Sequence, residues 1–157
     1  MQRFRAFTLI EIALSIFILL LLLMLAVPSL TGVIASRRLK QSLDGFNSLV
    51  RQAQERSVTE RRPYLLVWGK AGVVLRPEAF GEDEEVKPTG EFRVSKGTIV
   101  RLSLPAALAG KHPAEWIFWP SGNCEPAVVQ FRGPAGLWTV SYSPLTVQPE
   151  VTQYAAR

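Results

Sequence analysis

Residues that could carry chemistry are few in this chain, and they are scattered. The one histidine, His112, lies between Lys111 and Pro113 in a stretch that reads as loop, and the one cysteine, Cys124, has no histidine near it in sequence. A catalytic nucleophile needs a base within hydrogen-bond reach, and a metal centre needs several ligands at set spacing. Neither pattern is present, no glycine loop that could cradle a phosphate is found, and the serines have no recognisable acid-base partners. Enzymatic activity, a metal and a cofactor are therefore not expected. A single cysteine also excludes an intrachain disulfide, and Cys124 is expected to fill space in the core as a small apolar side chain.

Two other clusters could bind rather than react. Glu82-Asp83-Glu84-Glu85 is a dense acidic run, but it lacks the alternating ligands and tight turn of a calcium loop, so it reads as a solvated loop. Such a loop is also a ready contact for a basic partner surface. Trp68, Trp116, Trp119 and Trp138 could in principle stack bases or anchor an interface, although most tryptophans in a small sheet are core. Odd spacing on a regular strand would turn Trp116 or Trp119 away from the core.

The most informative residue is Glu11. It is the only charge in the 21 residues from Phe7 to Val27, FTLIEIALSIFILLLLLMLAV. At about 1.5 Å per residue, that run just crosses a hydrocarbon layer of about 30 Å. A secretory signal peptide needs a shorter apolar core and a small-x-small cleavage site, whereas Ala35-Ser36-Arg37 is a poor one. A plain membrane anchor explains everything except Glu11, because a carboxylate within a bilayer costs a few kcal/mol. Either it lies close enough to the interface to reach water, or it needs a cationic partner.

The flanking residues favour the second reading. A short basic leader, MQRFRA, runs directly into FTLIE, the apolar run follows, and Pro28 closes it. This resembles the processing site of type IV prepilins and of the pseudopilins of type II secretion. The resemblance implies cleavage by a prepilin peptidase between Ala6 and Phe7, N-methylation of Phe7, and retention of the apolar segment. It also implies that Glu11 pairs with the cationic N-terminus of a neighbouring Phe7 when stems pack into a filament, which offsets the desolvation of both charges. The family usually has Gly before the cut; Ala6 is the smallest departure, and processing is expected to be either slower or still adequate. Pro28 removes a helix hydrogen bond and is expected to kink the stem.

Beyond Pro28 the chain has helix composition to about Glu60. Leu39, Leu43, Phe46, Val50 and Ala53 recur at spacings of four and three, with Arg38, Lys40, Asp44, Arg51 and Glu55 on the other side. That stripe predicts a helix packed on its own sheet, closed by Pro63. The pattern then changes to period two. Strands are predicted at Tyr64–Trp68, Val73–Arg76, Phe92–Val94, Thr98–Leu104, Glu115–Trp119, Ala127–Arg132 and Leu137–Tyr142, in a meander or two small sheets. The organisation is thus a leader (1–6), a transmembrane stem (7–27), an extracytoplasmic continuation of the helix (28–62) and a β-rich domain (63–157). The fold class is α+β, a long N-terminal helix on a small antiparallel sheet domain.

The order of elements, with Ile117-Phe118-Trp119-Pro120-Ser121-Gly122 before the last strand pair, resembles the minor pseudopilins of the H type and the minor pilins of the FimT type. That likeness implies a structural subunit of a type II secretion pseudopilus in a bacterial inner membrane, single-pass, with its N-terminus cytoplasmic and its domain periplasmic. The implied partners are the prepilin peptidase, other pseudopilins or pilins, the membrane and secreted proteins. The alternative is a minor pilin of a type IV pilus or DNA-uptake machine. Nucleic acid is not expected as a ligand. Of 18 basic and 13 acidic residues, Arg3, Arg5, Arg37, Arg38 and Lys40 bracket the apolar helix with Glu11 inside it, so the rest of the chain is nearly neutral. The terminal VTQYAAR adds only Arg157.

Overall fold

A computed structural model describes residues 8–81, 85, 87–105 and 114–157, and within it the side chains of all described residues except 25–31. Ala6, Phe7, His112 and the acidic residues Glu82, Asp83 and Glu84 lie outside the described residues, as does the side chain of Pro28.

The chain opens as one helix, α1 (Leu9–Thr59), 51 residues long and therefore about 76 Å from end to end. Position 28 lies inside it, so the stem and the predicted continuation are a single element. The helix ends where Glu60 caps it, its N–H on the Arg56 carbonyl, and Arg61 turns to φ 52°. A left-handed residue at that position breaks the helical repeat. Pro63, two residues on, cannot rejoin it.

Among the described residues eight strands follow: β1 (Tyr64–Gly69), β2 (Gly72–Pro77), β3 (Gly90–Arg93), β4 (Ile99–Ser103), β5 (Glu115–Phe118), β6 (Ala127–Gly133), β7 (Gly136–Tyr142) and β8 (Pro149–Ala156). They form two antiparallel sheets of four, in the orders β3-β2-β1-β5 and β4-β6-β7-β8. Two tight hairpins organise them: Gly69 pairs with Gly72 across Lys70-Ala71, and Gly133 with Gly136 across Pro134-Ala135. Gly72 and Gly136 take φ 148° and 138°, and a Cβ at either would run into the backbone oxygen of Phe92 or of Ala155 in the adjoining strand. Only glycine lets a third strand come so close.

The predicted helix stripe is the core. Leu39, Leu43, Phe46, Val50 and Ala53 are buried, and Leu49 joins them, while Arg38, Lys40, Asp44, Arg51 and Glu55 are exposed. Phe46 joins the two sheets. Its ring centroid lies 6.3 Å from Trp68 and 5.4 Å from Phe92 on one side, and 5.6 Å from Trp138 and 6.3 Å from Tyr142 on the other. Trp116 closes the far end, 4.9 Å from Tyr142. Trp116 and Trp138 are fully buried, whereas Trp68 and Trp119 are half-buried. Trp119 lies just past the end of β5, outside the regular alternation.

Two strand predictions need correction. β3 lies at Gly90–Arg93 rather than Phe92–Val94, because its pairing with β2 runs from Gly90 opposite Leu75 to Arg93 opposite Gly72. β8 was not predicted at all. Every one of its residues is exposed, so it carries no buried-and-exposed alternation to read.

Candidate functional site

The functional geometry is a helix half buried and half bare. From Leu39 onward α1 is fixed to the domain by its apolar stripe and by hydrogen bonds on either side of it. Trp138 donates its Nε1–H to the Ser42 hydroxyl at 2.9 Å, and Tyr142 its hydroxyl to Asn47 Oδ1 at 2.6 Å. Further along, Gln54 Nε2 donates to the Gly122 carbonyl at 2.8 Å. At the outer end, the Tyr154 hydroxyl of β8 donates to the Ser36 carbonyl at 3.3 Å. Ser42, Asn47 and Gln54 were not anticipated as anchors; their signal was the set of short polar residues bordering the apolar stripe.

Ile34 and Ala35 still border the β6–β7 turn at Pro134 and Ala135, and before them the helix leaves the domain. Residues 8–24 are exposed on every side, with Leu9 at 86% and Met24 at 82% of full exposure. Among the described residues no helix is long and apolar enough to cross a membrane. The apolar sequence block extends past both ends of that stretch, to Phe7 and to Val27. Its length of 21 residues is a property of the sequence.

Glu11 lies in the first turn of this bare half. Thr8 precedes the helix in extended conformation without capping it by its side chain, and its carbonyl accepts from the N–H groups of Glu11 and Ile12 at 3.1 and 3.2 Å. Ser15 donates its hydroxyl to the Glu11 carbonyl at 2.7 Å, so its bond goes to the backbone and not to the carboxylate. The Glu11 carboxylate forms no ion pair among the described residues, and apart from Thr8 and Ser15 the described side chains around it are apolar. A first-turn acid gains from the positive end of the helix dipole. That gain is small beside the cost of an unpaired carboxylate in hydrocarbon.

At the other end of α1, Glu60 collects three donors. The Tyr64 hydroxyl reaches Glu60 Oε2 at 2.6 Å, Arg62 Nη2 the same oxygen at 2.5 Å, and Arg56 Nη1 reaches Oε1 at 3.1 Å. The Tyr64 hydroxyl above all holds the Glu60 carboxyl below the ordinary range, with the two arginines adding to it, while burial pushes the Tyr64 phenol up. This cluster fixes the exit from helix to sheet. Cys124 is buried, donates weakly to the Ser143 carbonyl at 3.8 Å, and has its thiol pushed up by burial to about 12. It is packed as part of the core. No cluster of three or more potential metal ligands occurs among the described residues.

A bare apolar half-helix joined to a two-sheet domain by its buried half defines a pilin-like fold, α+β. Comparison with solved structures agrees. The type IV minor pilin FimU of Pseudomonas aeruginosa superposes with a TM-score of 0.53 at 13% identity, over 74% of this chain and 90% of that one. A second crystal form of FimU gives 0.51 at 11%, over 73% and 92%. The minor pseudopilin EpsH of the Vibrio cholerae type 2 secretion system gives 0.48 at 12%, over 71% and 94%. No family model and no curated protein matches the sequence.

Proposed function

We propose that this protein is a pilin-like assembly subunit, a minor pseudopilin of a type II secretion system, held in the inner membrane by residues 7–27. The observation that carries this is the first-turn Glu11, the one charge on a predominantly apolar half-helix that is exposed over residues 8–24. Such a stem is stable only with lipid or other stems around it, and its carboxylate only with a cation beside it. Cleavage between Ala6 and Phe7 by a prepilin peptidase would create that cation, a methylated amine four residues from Glu11. Pairing across subunits then sets the stagger of neighbouring stems. A kink at Pro28 lets the free half of the stem bend into a packed bundle. The domain, on the periplasmic side, carries the contacts to neighbouring subunits and to secreted proteins.

A second reading, a minor pilin of a type IV pilus, has the likeness to FimU in its favour. The same stem serves both machines. Deleting the gene distinguishes them: loss of exoprotein release supports the secretion assignment, and loss of surface pili supports the other.

The assembly role itself is tested with Glu11→Val. The variant is expected to insert in membranes as well as the unaltered protein but to be lost from the sheared filament fraction. Filament incorporation equal to that of the unaltered chain would contradict the role given to Glu11.

A further inference from the structure

The outer face of the sheet β4-β6-β7-β8 carries a polar groove of about 200 Å³ that the assembly stem leaves unused. Its floor is a row of opposed residues one from each strand. Arg101 faces Gln130, Gln130 faces Thr139, and Thr139 faces Gln153. In the next row Arg132 faces Ile99. The two arginines are therefore diagonal neighbours on one face, about 7–8 Å apart at the backbone. Both are exposed, and neither forms an ion pair among the described residues. Among the described residues no carboxylate lines the groove. Thr139 donates its hydroxyl to Gln153 Oε1 at 3.5 Å, which leaves the Gln153 amide N–H groups free to donate.

Two like charges held side by side without a counter-ion ask for an anion, and guanidinium groups above amide donors suit carboxylates on an extended chain. The aromatic ring in the lining, Phe131, is buried. A single-stranded nucleic acid would want a stacking ring and a longer line of cations. The chain has one matching acidic run, Glu82-Asp83-Glu84-Glu85, and it joins β2 to β3 in the opposite sheet. We infer that the Arg101–Arg132 groove is a docking site for the acidic segment 82–85 of a second copy of this chain. Complementary surfaces on different parts of one subunit make a heterologous contact, which propagates as an open-ended stack. The inference deepens the assembly role proposed above and rests on it for its place in a filament.

The test uses the full chain in non-ionic detergent micelles and a fluorescent peptide with the sequence of residues 79–86, AFGEDEEV. Saturable binding is expected that weakens about tenfold or more in the R101Q/R132Q double variant and falls with added salt. A peptide with its four acids replaced by lysine is expected to bind the R101E/R132E variant instead. Both arginines are exposed, so thermal unfolding of the variants should match the unaltered chain. Absence of binding, binding indifferent to the double variant, or displacement of the peptide by an oligonucleotide of equal charge would each overturn the proposal. The assay needs no filament. Failure here leaves the Glu11 role standing, and loss of the Glu11 role leaves peptide binding unaffected.

Discussion

The indole N–H of Trp138 donates to the hydroxyl of Ser42 at 2.9 Å, and that hydroxyl donates in turn to the Leu39 carbonyl at 2.7 Å. The relay joins the centre of one sheet to the face of α1, at the level where the helix enters the domain. Trp138 is fully buried and stacks on Phe131 at 5.1 Å. Its N–H therefore has no water to fall back on.

Ser42→Ala is accordingly expected to destabilise the domain by about 1–3 kcal/mol, the cost of a buried donor left without its acceptor. Ser48→Ala is the control; its exposed hydroxyl accepts only a long 3.5 Å contact from Gln52. Urea unfolding followed by tryptophan fluorescence reads both. Equal midpoints for the two variants would show that the Trp138 bond carries nothing.

Gly136→Ala tests the second hairpin. The methyl group would meet the Ala155 oxygen of β8, and at φ 138° an alanine is strained wherever it points. β8 is an exposed edge strand and the element with least to lose. The expected outcome is fast hydrogen exchange at residues 149–156 with slow exchange retained in β6 and β7. Uniform loss of protection throughout the domain would mean instead that β8 folds as one unit with the core.

Legibility in the sequence followed burial. The stripe from Leu39 to Ala53 was readable because the 3.6-residue period places each of its members against a sheet, and the structure buries all of them. β2, β6 and β7 were readable from their alternation against the core, and β1, buried at Tyr64, Leu65 and Leu66 in succession, from its run of strand-forming residues. β8 was opaque because pairing with β7 is a backbone matter, and no side chain on it is buried. The Arg101–Arg132 groove was likewise invisible. Its members come from β4, β6, β7 and β8, and only the register brings them into adjoining rows. Glu11 stands out in the sequence as a single charge in an apolar run, and its assembly role is a proposal.

The Glu60 cluster makes a pH prediction. Its carboxyl is held below the usual value of 4.5 in the folded protein. A depressed acid contributes stability that is present above the unfolded-state pKa and lost as pH falls through the folded one. Acid unfolding of the unaltered domain should therefore steepen below about pH 4.5, and Glu60→Gln should flatten that portion while leaving the curve above it parallel. An unchanged acid limb in Glu60→Gln would remove Glu60 from the account. Tyr64→Phe, which deletes the leading donor, should have the same direction and a smaller effect.

This chain is expected to become an assembly subunit when its leader is removed between Ala6 and Phe7. The intact mass of the protein, taken from membranes that contain its own prepilin peptidase, tests this most directly. The predicted mass lacks residues 1–6 and carries one added methyl group, which places a methylated amine on Phe7, four residues from Glu11. A mass that retains Met1 through Ala6 under those conditions would contradict the claim and leave a membrane-anchored domain whose Glu11 has no cation to meet.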